Sequence, residues 1–160
     1  MMARLTLLVL ILALSACGFQ LRGEARLPEA MQKTWLATAD DSTAFVRELT
    51  LMLRANGVDL QSRPAAGTAE LRIHAERLRS EALTIAAGAR VREFVLIFDV
   101  EFELLDGEGN VLIPRETLRL TRDYSFDEQE ILAATREEEF LRNDLRQGMA
   151  AQMLRRLEAL

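Results

Sequence analysis

Every second residue from Phe94 to Leu104 is large and apolar: Phe94, Leu96, Phe98, Val100, Phe102 and Leu104. A period of two sustained over this length is the pattern of a β-strand with one buried face, so the chain must build a sheet and cover it. The intervening residues, Val95, Ile97, Asp99, Glu101 and Glu103, start apolar and become acidic. The first half of that second face is expected either to lie under a partner surface or to serve as a binding patch.

The neighbours of this strand follow from its flanks. Asp106-Gly107-Glu108-Gly109-Asn110 is a turn with two glycines, and Pro114 lies just beyond it. A hairpin partner is expected from about Glu116 to Phe126, with Leu118, Leu120, Tyr124 and Phe126 in one phase and Thr117, Arg119, Thr121, Asp123 and Ser125 in the other. On the upstream side Leu71, Ile73 and Ala75 alternate with Glu70, Arg72, His74 and Glu76, and the alternation slips at Leu78, which predicts a bulge. The spacing gives a meander of three strands.

Helices to cover the sheet come from the two ends of the body. Lys33 to Thr38 has the composition of a short strand, and Asp40, Asp41, Ser42 and Thr43 supply capping oxygens before Phe45, Leu49, Met52 and Leu53 recur at helical spacing. Asn56-Gly57 closes that helix, and Val58 to Gly67, with Pro64, reads as a loop opened by a short extended piece. After a connection from Asp127 to Ala134, Thr135-Arg136-Glu137-Glu138 has the form of a capping box. Leu141, Leu145, Met149, Met153 and Leu157 then repeat every fourth position, with Phe140 and Leu154 widening the stripe. Gly148 inside this helix points to a close approach to the sheet. The expected architecture is α+β, with two helices packed on one face of a small mixed, mainly antiparallel four-stranded sheet. Its order is strand, helix, strand, strand, strand, helix within a single domain from Lys33 to Leu160.

The first residues carry a different signal. Arg4 precedes an apolar run from Leu5 to Leu14, relieved only by Thr6, which is far shorter than the roughly 20 residues a spanning helix needs. It reads as the core of a signal peptide covering residues 1 to 16. Leu14-Ser15-Ala16-Cys17 has the form of a bacterial lipobox, in which the Cys17 thiol accepts a diacylglyceryl group and becomes the new N-terminus. Cys17 is the single cysteine, so an intramolecular disulfide is excluded, which leaves a free thiol, an intermolecular bridge or lipidation, and its place at the end of the apolar run favours lipidation. Gly18 follows the cysteine where an inner-membrane retention signal would have Asp, which favours the outer membrane. Residues 17 to 32 are expected to form a lipidated leader.

Charge and motif content exclude most other roles. The formal net charge of -5 becomes -6 when Arg4 leaves with the signal peptide, and an acidic chain without a basic face does not suit nucleic acid. Lys33 is the only lysine, so nearly all cationic chemistry is guanidinium, a fork that grips phosphate and carboxylate, although genomic base composition is by itself the better explanation of the bias. There is no Gly-rich phosphate loop, no zinc spacing and no nucleophile elbow. The sole histidine, His74, falls on the polar phase with no second ligand beside it and reads as an ordinary surface residue. No enzyme activity and no cofactor are expected.

Cys17-Gly18-Phe19-Gln20-Leu21-Arg22-Gly23 resembles the Cys-Gly-aromatic-x-Leu-Arg-Gly start of the LPS-assembly lipoprotein LptE family. Arg54-Ala55-Asn56-Gly57-Val58, Arg92-Glu93-Phe94 and the segment from Ala151 to Leu157 sit where that family has similar segments. The resemblance implies a non-enzymatic lipoprotein of the cell outer membrane, anchored on the periplasmic side. It further implies a plug that helps assemble the LptD β-barrel and works with it to insert lipopolysaccharide into the outer leaflet. The alternative that the residues leave open is a periplasm-facing lipoprotein that binds a lipid or serves as an accessory subunit of a lipid transporter.

Lipid A phosphates would need clustered guanidinium groups beside apolar surface. Arg90 and then Arg92, after the small residues Ala86-Ala87-Gly88-Ala89, are the first choices, since relatives often carry a basic residue in this loop. Arg142 and Arg146, an i, i+4 pair near the family's other basic contact, are the second. The competing reading is that these arginines pair with neighbours such as Glu93 and Glu139 on a solvated surface, where a pair contributes at most about 1 kcal/mol.

Overall fold

The computed structural model describes residues 27–86, 90–125 and 131–160, with the side chains of 84–86, 90–92 and 131 left aside. A single 3-10 turn at Glu29–Met31 leads into β1 (Lys33–Thr38), α1 (Ala44–Ala55), β2 (Asp59–Gln61), β3 (Ala69–Ala86), β4 (Arg90–Leu105), β5 (Val111–Ser125) and α2 (Ile131–Glu158). The strands form one five-stranded sheet in the order β2-β1-β3-β4-β5. β1 runs parallel to both β2 and β3, while β3, β4 and β5 form the antiparallel meander.

The α+β class and the two helices on one face match the sequence reading, but the sheet has five strands, not four, and half of its pairings are parallel. The missing strand was β2. With three residues between Gly57 and Pro64 it is too short to show a period, and it forms only because its partner β1 already stands there.

The β4 alternation sets the core. Leu96, Phe98, Val100, Phe102 and Leu104 are all fully buried beneath the helices. Phe98 meets Phe45 of α1 edge to face, with ring centroids 5.6 Å apart and planes at 82°. Each side chain buried in this way contributes roughly 1.5–3 kcal/mol. α2 supplies Leu145, Met149, Ala150, Met153 and Leu157, all fully buried, whereas Phe140 is 68% exposed and lies outside the stripe predicted for it. Met31 is also fully buried and Leu27 packs against the core, so the polypeptide joins the hydrophobic cluster before β1 begins.

Local signals explain the ends of α1. The Thr43 hydroxyl caps the helix by accepting from the Val46 amide at 3.1 Å, and donates to Glu76 Oε2 of β3 at 2.8 Å, tying the helix start to the sheet. Gly57, at φ +83°, takes the left-handed turn that follows. For α2 the expected start was wrong. The helix begins at Ile131, because Leu132, Ala133 and Ala134 are strong helix formers, and Thr135 lies inside it instead of capping it. Glu138 then accepts from Arg142 within the helix.

The bulge in β3 also falls earlier than its signal. The register with β4 shifts between Ile73 and Ala75, so His74 is the extra residue and the inward phase changes from Leu71 and Ile73 to Leu78 and Ser80. β5 extends further back than expected, through Pro114, which is tolerated on an edge strand at a second register shift. Phe126, assigned to the same phase as Tyr124, lies outside the described residues.

Two glycines fix the end of the sheet at which the chain enters. A Cβ on Gly107 would stand 2.5 Å from the Gly67 carbonyl carbon, so the β4–β5 turn can touch the β2–β3 loop only without a side chain there. Gly148 meets the sheet as expected, its Cβ position lying 3.3 Å from Leu120 Cδ1.

Candidate functional site

With both helices on one side, no element among the described residues covers the other face of the β3–β4–β5 meander. Directly opposed residues of an antiparallel sheet share a face, so the register places Arg77, Arg79 and Glu81 of β3, Val95, Ile97, Asp99 and Glu101 of β4, and Thr117, Arg119 and Thr121 of β5 together there. Val95 and Ile97 are each only 9% exposed, although no helix among the described residues lies over them. Their directly opposed neighbours are Arg79 and Glu81 on β3 and Thr121 and Asp123 on β5, and long side chains such as those of Arg79 and Glu81 can shield apolar surface with their stems.

Asp99 is the centre of this face and is 6% exposed. Its Oδ1 accepts from Arg119 Nε at 2.6 Å, and its Oδ2 accepts from Arg119 Nη2 at 3.1 Å and from Arg79 Nη1 at 2.5 Å. The Arg119 hydrogen bonds, helped by those of Arg79 and by both positive charges, hold the Asp99 carboxyl below the usual carboxylate range against the opposing effect of burial. One carboxylate bridges three strands.

Two further clusters repeat the pattern. Arg115 Nε donates to Glu101 Oε1 at 2.6 Å and depresses the carboxyl's pKa. Arg72 donates to Glu103 Oε1 at 2.5 Å and to Glu70 Oε1 at 2.9 Å. His74 Nε2 lies 3.2 Å from the same Glu103 oxygen, but the geometry is not that of a hydrogen bond and this nitrogen is buried without one. The bulge turns His74 into a half-buried position, where sequence had placed it on the surface. Among the described residues no group of three or more His, Cys, Asp or Glu side chains is arranged to hold a metal ion.

The residues singled out from the sequence fall in three places. Cys17 lies outside the described residues. Arg90 opens β4 opposite Ala86, and Arg92 falls at the register shift near the hairpin tip, two residues before Phe94. Arg142 donates to Glu138 Oε1 at 2.8 and 2.6 Å, and Arg146 donates to Asn143 Oδ1 at 2.8 Å, so both are held along their own helix. The Phe94 ring stacks on Tyr124 at 5.4 Å, and Tyr124 lies beside Glu138, which brings the Arg142 end of α2 to the same end of the sheet as the β3–β4 hairpin tip.

The family model described as "LptE: Lipopolysaccharide-assembly" matches residues 31–157. The chain belongs to the LptE family. It is similar to the LPS-assembly lipoprotein LptE of Photorhabdus laumondii subsp. laumondii, 24% identical over 147 residues that cover 92% of this chain and 80% of that one. It is likewise similar to the LPS-assembly lipoprotein LptE of Yersinia pestis (strain Pestoides F), 28% identical over 148 residues, covering 92% and 70%. Among solved structures, an uncharacterized lipoprotein B of Nitrosomonas europaea superimposes with a TM-score of 0.73 at 28% identity, covering 89% of this chain and 91% of that one. The rare lipoprotein B of Shewanella oneidensis gives a TM-score of 0.70 at 25% identity, covering 79% and 94%. An LptE-family lipoprotein of lipopolysaccharide assembly is therefore what the fold and the matches describe, and no described helix is long and apolar enough to cross a membrane.

Sequence reasoning on this LptE-family chain picked out the acidic half of β4 but not the arginines that neutralise it. Counting back from the Asp106–Asn110 turn would have set Asp99 against Arg119, had the register shifts near Pro114 been legible. Because the Asp99 pKa is lowered on folding, its contribution to stability is present above the unfolded value of about 3.9 and is lost as pH falls through the folded value. Asp99→Asn should lower unfolding free energy at pH 7 by about 1–2 kcal/mol and flatten the loss of stability below about pH 4. Urea titrations at several pH values check both effects, and an acid limb as steep as that of the wild type would detach Asp99 from its arginines.

Proposed function

We propose that this LptE-family lipoprotein is anchored to the outer membrane through acyl chains on Cys17 and seats as a plug within an LptD-type β-barrel during lipopolysaccharide insertion. The observation that supports this most is the uncovered sheet face. Its carboxylates, Asp99, Glu101 and Glu103, are each matched by an arginine, so the face is polar and largely charge-balanced. A barrel interior is also polar, and the interface with it would be hydrogen-bonded and wet instead of greasy. The body from Leu27 onward has its own core, which is what a plug that enters a barrel as a unit requires.

Lipidation is separable from folding, because the core begins ten residues after the cysteine, at Leu27. Cys17→Ala should give a folded domain that leaves the membrane fraction when expressed without a barrel. Membrane attachment unchanged in that variant rules lipidation out.

Barrel association is tested by co-purification with a heat-modifiable outer-membrane barrel. Glu101→Lys combined with Glu103→Lys removes two partly exposed ion pairs, each contributing no more than about 1 kcal/mol, so the domain should remain folded while barrel yield falls. Recovery at wild-type yield would make this face ordinary solvent surface.

Direct contact with lipopolysaccharide is the finer part of the proposal and rests on Arg90 and Arg92 at the hairpin, with Arg142 and Arg146 at the same end. Neutralising Arg90 and Arg92 together should weaken lipopolysaccharide binding in a salt-sensitive way and spare the barrel. Equal binding at low salt would leave a purely structural plug.

A further inference from the structure

We propose that the groove between α1 and the outer edge of β1 is a docking site for an extended, acidic segment of a partner protein, which adds to the sheet as a strand. The site lies on the opposite edge of the sheet from β5 and does not depend on the barrel reading.

The first observation is a gap in the sheet. β1 pairs with β3 from Thr34 to Thr38, but its pairing with β2 ends at Trp35, where the chain turns away through Ser62 and Pro64. Beyond Trp35 the outer edge of β1, from Leu36 to Thr38, has no strand beside it among the described residues. An open strand edge carries backbone donors and acceptors ready to pair with an incoming chain.

The second is the space above that edge. A trough of about 780 Å³ runs between the edge and α1, with Trp35, Leu36 and Leu60 on the sheet side and Arg47, Leu51 and Arg54 on the helix side. Leu51 stands 62% exposed at its lip, an apolar side chain for which the isolated domain offers no cover. A strand side chain facing the helix would cover it.

The third is charge, and it selects the partner. Arg47 and Arg54 lie two turns apart on the same side of α1, about 10 Å apart along the axis. Arg47 donates to the Ser42 carbonyl, and its charge adds to the Ser42 hydrogen bonds that lower the pKa of the nearby Asp40 carboxyl, while neither Arg47 nor Arg54 forms a direct ion pair among the described residues. Among the described residues Asp41 is the only acidic side chain lining the trough, against Arg47 and Arg54, so the described lining carries a net positive charge. A cationic, partly apolar trough beside an open strand edge fits an extended peptide with alternating acidic and aliphatic residues. Backbone pairing would supply affinity, and the two guanidinium groups would reject basic segments.

The test uses the full chain in detergent and a fluorescein-labelled heptapeptide of alternating glutamate and valine, followed by fluorescence anisotropy at low ionic strength. The expected result is saturable binding that weakens at least tenfold with three changes: lysine in place of glutamate, alternate N-methylation of the peptide backbone, and the Arg47→Glu, Arg54→Glu double substitution. Both arginines are exposed, and near-ultraviolet circular dichroism checks that the variant is folded; the N-methylated peptide leaves the protein untouched. Absence of binding overturns the proposal, as does equal affinity for the lysine or the N-methylated peptide. Saturable binding of dodecanoate without binding of the peptide would make the trough an acyl-anion site, and dimerisation of the chain without peptide binding would assign the edge to a second copy. Either result overturns it too.

Discussion

β4 is hydrogen-bonded on both edges and carries side chains on both faces, yet only one of those faces receives helices. Everything else in the molecule answers to that asymmetry. On the helix side the answer is volume: Phe98 and Phe102 with their leucine neighbours fill the space under α1 and α2, and the polar groups at its margin, Glu76, Ser80 and Tyr124, are hydrogen-bonded. On the other side no layer of the described residues lies over the sheet, and the strand changes along its length from Val95 and Ile97 to Asp99, Glu101 and Glu103. The sheet is kept from being an apolar slab by placing arginines at the opposed positions of β3 and β5, where their stems can shield the aliphatic residues and their heads neutralise the acids.

That arrangement links fold to role. A face covered by a third layer of its own chain could not meet a partner, and a wholly apolar one would draw indiscriminate association. A charge-paired face avoids both and remains available to a polar surface of matching shape. The short strand β2 and the two-glycine contact between Gly67 and Gly107 belong to the same economy of layers, since they finish the sheet at its entry end without adding a domain.

What could be read from the sequence divides along the length of the signal. β4, α1 and the meander were legible because their periods run for many residues and their caps are local. β2 was not, because three residues hold no period and its existence depends on a partner distant in sequence. The start of α2 was misplaced for the opposite reason: a good capping box at Thr135 was overridden by helix formers upstream of it. For the candidate face, composition disclosed the acids of β4, but their arginine partners required a cross-strand register that a bulge at His74 and shifts near Pro114 hide from a linear reading. Cys17 and the seven residues from it to Gly23 carried the family, while the family model's own match begins beyond them at residue 31.

The length of β3 has a geometric consequence. The polypeptide enters beside the first residues of β1 and β3, and β3 then runs for 18 residues to Ala86 at the far end of the sheet. At about 3.3 Å per residue its contour is close to 56 Å, somewhat more than the 40–45 Å that a bilayer measures with its headgroups. On the proposed reading, with a lipid on Cys17 and the body seated in a barrel, an upright body would therefore act as a ruler, the far ends of β3 and β4 reaching the level of the opposite leaflet. Lying flat, the same body would keep those ends on the side from which it came, so orientation alone would decide which leaflet they touch.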